Sequence, residues 1–245
     1  MSRSNVALTG KRTLVTGGTT GIGRATVKLL AEEGARILTF GRHEEELRDS
    51  LENAGLAPAC GMIADSATRE GVGAVFEAVD QRLGGIDILV ACAALGAQPL
   101  HEMEEEDWRY VVETNLVGYL ACAAQAIRRM EQAGGGQLLF VGSISPRIMA
   151  PGESVYAATK GGIQHFAETL RKEVGEKNIR VTLIEPGSVG TDMQECSLEE
   201  QRAAIARHEM LYAEDVAEAI HFALTRPARC DVLDLRIEPR LQKTA

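Results

Sequence analysis

Between a short apolar run, Arg12–Thr16, and a helix-like run, Arg24–Glu33, the chain reads Thr16-Gly17-Gly18-Thr19-Thr20-Gly21-Ile22-Gly23. Strand, glycine turn and helix in that order form a setting in which a backbone wraps a phosphate. Glycine admits positive φ and lets the main chain approach a ligand closely, while the free amides of the helix start supply donors and a partial positive charge. Tight turns also use glycine for local reasons alone, so the weight comes from what surrounds this one. Extended and helical patterns go on alternating: strand Ala35–Phe40, helix Glu44–Ala54, strand Ala57–Ile63, helix Thr68–Leu83, strand Ile86–Ala91. The last is continuously apolar, as a strand covered on both faces should be. Glu104–Glu131 carries Trp108, Val111, Val112, Leu116 and Leu120 at helical spacing, which predicts a core-facing stripe. Strands are also expected at Ile179–Glu185 and Cys230–Ile237, and helices from Ser154 to about Gly175 and at Ala213–Leu224. This pattern predicts an α/β fold: a mainly parallel, seven-stranded sheet with helices on both faces. A chain of 245 residues, 45% apolar, can bury the core of one such unit.

A second stretch carries chemistry. Tyr156 and Lys160 stand four residues apart in Ser154-Val155-Tyr156-Ala157-Ala158-Thr159-Lys160 and share a face if that segment is helical. An unperturbed tyrosine, with a pKa of about 10, is a poor base at neutral pH. A positive charge at roughly 5 Å, in an effective dielectric of about 20, favours the phenolate by about 3 kcal/mol, or about two pKa units. Lys160 is therefore expected to lower the Tyr156 pKa. Ser143 ends the apolar run Gln137-Leu138-Leu139-Phe140-Val141-Gly142-Ser143, which brings a hydroxyl to the carboxyl edge of a sheet. There it can polarise a carbonyl that Tyr156 protonates. Tyrosine and lysine at this spacing also decorate many solvated helices; the Ser143 to Tyr156 separation, together with the glycine turn, favours the functional reading. Asn115, among apolar neighbours, is costly unless hydrogen-bonded.

With these residues in place the chain resembles the short-chain dehydrogenase/reductase family from about Lys11 to about Asp192, through T-G-x-x-x-G-x-G at Thr16–Gly23 and Y-x-x-x-K at Tyr156–Lys160. The resemblance implies a Rossmann-type doubly wound fold and hydride transfer between a nicotinamide and a carbonyl or secondary alcohol. Tyr156 would be the general acid/base, Ser143 would hold the reacting oxygen, Lys160 would also bind the nicotinamide ribose, and Asn115 would anchor a water beside the lysine. Cofactor contacts are implied for Gly17, Thr19, Thr20, Gly21, Ile22 and Gly23, for Arg42, for Asp65 and Ser66 beside the adenine, for Ala93, Tyr156 and Lys160, and for Pro186, Gly187, Val189 and Thr191 at the nicotinamide. Asp65 or Ser66 could equally cap the helix that begins at Thr68, and both readings stay open. One departure stands out: where the family has N-N-A-G, this chain has Ala91-Cys92-Ala93-Ala94, which puts the bracing of that loop in question. The ending Asp231–Arg240 lacks a Gly-Gly close and is similar to a side branch that includes serine dehydrogenase-like and clavulanate dehydrogenase-like enzymes.

The choice of nicotinamide rests on Phe40-Gly41-Arg42. A preference for NAD wants a carboxylate at the end of strand two, which Gly41 cannot supply. An NADP phosphate wants a guanidinium, and Arg42 is the next residue. At roughly 1.5 to 3 kcal/mol for a charged contact, NADP(H) is expected over NAD(H) by about ten- to a hundredfold, NAD(H) remaining usable. A net charge of -9 argues against nucleic acid or an anionic membrane as the main partner. The expected partners are a small carbonyl or alcohol and further copies of the chain, as a homodimer or homotetramer. Cys60, Cys92, Cys122, Cys196 and Cys230 show no metal-ligand spacing and read as reduced, mostly core thiols; no metal is expected. No stretch looks like a signal peptide or a membrane span, which suggests a cytoplasmic protein. The expectation is one domain over 1–245, with a cofactor half at about 11–135, a catalytic and substrate half at about 136–245 and a lid at about 188–210. Loops Leu95–Pro99, Ser145–Gly152 and Ser188–Cys196 are expected to line a partly apolar pocket, with Arg147 a candidate carboxylate partner. The alternative is a dinucleotide-binding sensor or scaffold without catalysis, supported only by Ala91-Cys92.

Overall fold

In the computed structural model, which describes residues 6–194 and 196–242, seven strands form one sheet in the order β3-β2-β1-β4-β5-β6-β7. They are β1 (Arg12–Thr16), β2 (Arg36–Gly41), β3 (Gly61–Ile63), β4 (Ile88–Ala91), β5 (Gly136–Val141), β6 (Ile179–Pro186) and β7 (Asp234–Ile237). Every pairing is parallel, so the expected sheet is parallel throughout. The helices are α1 (Gly21–Glu32), α2 (Glu44–Asn53), α3 (Arg69–Ala78), α4 (Glu105–Val112), α5 (Gly118–Ala133), the single turn α6 (Ser145–Ile148), α7 (Ser154–Val174), α8 (Leu198–Ala206) and α9 (Ala213–Leu224).

The strand residues alternate between two cores, because successive side chains of a strand point to opposite faces. Leu14, Leu38, Phe40, Leu89, Leu138 and Phe140 pack under α3, α5 and α7, with Phe76, Tyr119 and Ile163. Val15, Ile37, Ile88, Val90, Leu139 and Val141 face α1 and α9, with Val27, Leu30, Val216 and Ile220. Apolar residues at both parities are what a sheet buried on two sides requires.

Several boundaries differ from the periodicity. β3 keeps only three residues because Pro58 opens a 3₁₀ turn, Pro58–Cys60, and a proline cannot donate to the ladder. The helix expected at Glu104–Glu131 is interrupted by a π-helical turn at Glu113–Val117. The extra residue in that turn advances everything after it by about 100° around the helix. Leu120, expected in the core, is 38% exposed, and Tyr119 is 2% exposed. The thiols were expected to be mostly core, yet of the five only Cys122 is buried; Cys60 lies in the surface turn, Cys92 in a loop and Cys230 is exposed. Among the described residues no helix is long and apolar enough to cross a membrane.

β1 lies between β2 and β4, so the chain reverses its direction of travel across the sheet at that strand. Thr16 is level with Phe40 on one side and with Ala91 on the other. The loops leaving β1 and β4 diverge there and open a crevice at the carboxyl ends of the strands, the usual place for a ligand in such sheets.

Candidate active site

The glycine turn leaves β1 at this crevice. Gly17 has φ of 63°, and a Cβ there would lie 2.6 Å from the Cα of Ala93, so the turn and the loop after β4 touch backbone to backbone. Thr20 is the N-cap of α1 without a side-chain cap bond, and the first turn of α1 holds no acid. Its amides are left without a side-chain acceptor, which suits an anion at this helix start. At the end of β2, a Cβ on Gly41 would meet Thr19 Cγ2 at 2.3 Å, so a larger residue there would displace the turn beside it.

The loop that lost the family's asparagines is braced by other residues. Thr16 Oγ1 accepts from the amides of Cys92 at 3.0 Å and Ala93 at 3.1 Å. Asn115 is fully buried; its Oδ1 accepts from Leu95 N and its Nδ2 donates to Leu95 O, both at 2.8 Å. Two backbone groups and one amide side chain thereby satisfy one another, which explains why an asparagine is tolerated in the core. Asn115 sits in the π turn, a feature frequent at functional sites. It does not line the cleft but holds the cleft wall from behind.

Ser143 follows β5, and Tyr156 and Lys160 stand on α7, one helical turn apart. Lys160 is 1% exposed; its Nζ lies 5.8 Å from the centre of the Tyr156 ring, donates to Val141 O at 2.9 Å and approaches Tyr119 Oη at 3.4 Å. Ser143 Oγ accepts from Ser145 N and donates to Ser145 Oγ, both at 3.1 Å. The expected lowering of the tyrosine pKa is not what this packing produces. Part of Tyr156 stays accessible, yet the protein around its phenol pushes it up to about 12, against the Ser143 hydrogen bond that pulls it down. The same burial brings Lys160 down to about 8. Desolvation is the largest influence on each, because burial disfavours the charged form of both groups. Tyr156 is thus a protonated donor at neutral pH, and Lys160 stays largely cationic.

Ser143, Tyr156, Lys160 and the glycine turn open onto one cleft of about 530 Å³. Of the residues expected to contact the cofactor, it is lined by Gly17, Thr19, Thr20, Gly21, Ile22, Gly23, Arg42, Asp65, Ser66, Ala93, Tyr156, Lys160, Pro186, Gly187, Val189 and Thr191, and Ser143 lies beside them. Thr114 also lines it, and its hydroxyl is buried with no partner among the described residues, a polar atom left for a ligand. The cleft fits an extended dinucleotide: an uncapped helix start for its phosphates, a cation at Arg42, and a buried lysine at the far end. The helix-capping reading of Asp65 and Ser66 is corrected: Thr68 caps α3 by accepting from Gly71 N at 3.0 Å. Asp65 instead accepts from Tyr110 Oη at 2.6 Å and Ala67 N at 2.9 Å. Arg147, Ile148, Met149 and Glu153 do not line the cleft. The Arg147 guanidinium turns away to Glu185, at 2.7 Å, whose side chain is fully buried and also accepts from Gln164. Of the three expected substrate loops, Leu95–Pro99 contributes Leu95 and Gly96, and the stretch after β6 contributes Val189, Thr191, Asp192, Met193 and Gln194. The proposed lid contains α8, started by a capping box of Ser197 and Glu200; Glu195 lies outside the described residues. Spacing along the chain points to neither Tyr119 nor Tyr110, which belong to no short motif, and it marks Thr16 only as the start of the glycine motif; each acts through a partner far away in sequence. No cluster of metal-ligating side chains is present among the described residues.

Comparison with known proteins agrees with this geometry. The sequence profile of the family described as short chain dehydrogenase matches residues 11–202. An oxidoreductase of Sarocladium schorii is 37% identical over 196 residues, 79% of this chain and 78% of that protein. A short chain dehydrogenase from Burkholderia cenocepacia J2315, solved in complex with NADP, superposes with a TM-score of 0.82 at 28% identity, covering 95% of this chain and 98% of that one. A variant of actinorhodin polyketide ketoreductase solved with NADPH superposes with a TM-score of 0.83 at 29% identity, covering 95% and 97%. On its fold, its cleft and these matches, the chain belongs to the short-chain dehydrogenase family of oxidoreductases.

Proposed function

We propose that this protein is an NADP(H)-dependent oxidoreductase that moves hydride between the nicotinamide and a carbonyl or secondary alcohol of a small, partly apolar substrate. The observation that carries the reading is the convergence of Ser143, Tyr156 and Lys160 with the glycine turn on one cleft. The amides of the turn and of the α1 start would hold the pyrophosphate, Arg42 the phosphate on the adenine ribose, Asp65 and Ser66 the adenine, Lys160 the nicotinamide ribose, and Val189 and Thr191 the carboxamide. The nicotinamide, when bound, supplies the hydride chemistry. Ser143 orients the reacting oxygen and Tyr156 gives it a proton in reduction. That direction matches a phenol pushed up to about 12, which holds its proton throughout the neutral range. Lys160 and Asn115 keep the proton path and the loop after β4 in place. The NADP and NADPH complexes of two structural relatives and the ketoreductase activity named for one of them support the same cofactor and reaction class. On this reading residues to about 135 are the cofactor half, and the stretch 188–210 is a lid.

The test is NADPH oxidation with a panel of medium-sized ketones and aldehydes. Tyr156→Phe should lower kcat by at least about a hundredfold while the Kd for NADPH stays near the wild-type value. Retained turnover in this variant would remove Tyr156 from the mechanism. Nicotinamide binding with no consumption across the whole panel would favour the sensor alternative.

A further inference from the structure

We propose that Tyr110 is a positioning residue for cofactor choice: its hydroxyl holds the Arg42 guanidinium at the mouth of the cleft with its charge unspent, ready for a phosphate monoester on the adenine ribose. The inference rests on the NADP(H) reading above and adds to it a residue remote from the cofactor turn.

Three side chains from three elements form a chain of hydrogen bonds. Arg42, just after β2, donates from Nη1 to Tyr110 Oη at 2.8 Å, and its Cζ lies 5.5 Å from the centre of the Tyr110 ring. Tyr110, in α4, donates in turn to Asp65 Oδ2 at 2.6 Å. Asp65, just after β3, is itself fixed, since its Oδ1 accepts from Ala67 N at 2.9 Å. The phenol therefore spends its one proton on a short bond to a carboxylate and offers a lone pair to the guanidinium. Burial and the bond to Asp65 push the Tyr110 phenol up, so it remains a donor at neutral pH.

A neutral spacer at this place changes what Arg42 can do. A guanidinium bonded directly to Asp65 would have its charge balanced by a carboxylate, and a phosphate would have to compete with that carboxylate. Its partner here is a phenol, so the fork is oriented without being neutralised, and one bond at Nη1 leaves further N–H donors for the planar, two-point contact that guanidinium makes with phosphate. Orientation matters because an arginine side chain gives up much of its rotamer freedom when it is fixed. Arg42 is otherwise exposed, and Glu46 lines the same end of the cleft, so an arginine released from Tyr110 has both solvent and carboxylates to turn to. Removing the hydroxyl should thus weaken NADPH binding and leave NADH binding, which offers Arg42 no phosphate, as it was.

The experiment measures Kd for NADPH and NADH by nicotinamide fluorescence, and KM and kcat with one reducible ketone, for the wild type, Tyr110→Phe, Arg42→Ala and the double variant. Tyr110→Phe should raise Kd and KM for NADPH about three- to tenfold, with kcat and all NADH values unchanged. In the Arg42→Ala background Tyr110→Phe should have no further effect, because the hydroxyl acts through the guanidinium. Equal losses with both cofactors, no loss for NADPH, or a loss that persists without Arg42 would each overturn the assignment. If Arg42→Ala collapses the preference for NADPH and Tyr110→Phe does not, the NADP(H) reading stands and the role of Tyr110 falls. If Arg42→Ala leaves the preference at its wild-type value, both fall.

Discussion

Lys160 and Tyr156 were legible as a pair from their spacing, but the sign of the tyrosine shift was not. A count of residues along a helix says that an ammonium is near a phenol; it does not say how much protein surrounds both. Here Lys160 is pulled down to about 8 from its ordinary 10.5 by burial. The consequence for stability has a definite sign. Below pH 8 the lysine is charged in the native and the unfolded chain, and the full cost of burying that charge is present. Between pH 8 and 10.5 the native state releases its proton while the unfolded chain keeps it, so the unfolded chain binds more protons and the cost fades as pH rises. Lys160→Met should therefore gain stability relative to wild type at pH 7, and the Tm difference should shrink across pH 8 to 10.5; a gap that widens there would contradict the burial. Arg42 was legible from Gly41-Arg42, and the structure adds a steric reason for Gly41, whose Cβ would meet Thr19. Arg42→Asp with Gly41 retained is expected to shift the NADPH/NADH ratio of kcat/KM toward NADH by about tenfold or more, read from initial rates. An unchanged ratio would separate cofactor choice from this turn.

At the scale of elements, the long helix shows what periodicity omits. The apolar stripe located the helix, and the buried Asn115 marked it as unusual, but the π turn at Glu113–Val117 carries no residue signature of its own. Val111 faces the core before it, and Tyr119, Cys122 and Ala126 face the core after it. The turn lies where the buried Asn115 meets Leu95. The loop after β4 makes the complementary point, since its missing asparagines are compensated by Thr16 Oγ1 from the neighbouring strand. Thr16→Val keeps the shape of the side chain and strands two amides in a tight loop. It should lower the unfolding free energy by about 2 kcal/mol or more, seen in urea denaturation, and reduce kcat/KM as Ala93 loses its position against Gly17. Wild-type stability in this variant would mean the bracing comes from elsewhere.

For the molecule as a whole, the crevice follows from strand order, and the chain alone shows only how order and composition permit it. Arg147 illustrates the gap: in sequence it lies in an expected substrate loop, while in the fold it binds Glu185 and approaches Asp234 at 3.4 Å, tying α6 to β6 and β7 in a second pocket separate from the cleft. Assembly is the remaining property at this scale. Val117 and Leu120 are 43% and 38% exposed at the junction of the π turn and α5, apolar surface on the outward face of the helix. The expected homodimer or homotetramer would cover it. Light scattering should give a multiple of the chain mass that falls to the monomer value in Leu120→Glu; an active wild-type monomer at low concentration would count against assembly through this face.

The glycine turn, the serine, tyrosine and lysine, the asparagine and the arginine after β2 were all readable along the chain, because each works through short-range spacing: a turn geometry, one helical turn, the end of a strand. The parallel alternation of elements was readable for the same reason, since a two-residue or a near-four-residue period is a local property. The partners of Thr16 and Asn115, the direction of the pKa shifts, the exposure of Leu120, the capture of Arg147 by Glu185 and the bond from Arg42 to Tyr110 were decided by the tertiary structure. Each depends on how much protein surrounds a group, or on which residue from dozens of positions away arrives beside it, and spacing along the chain carries neither quantity.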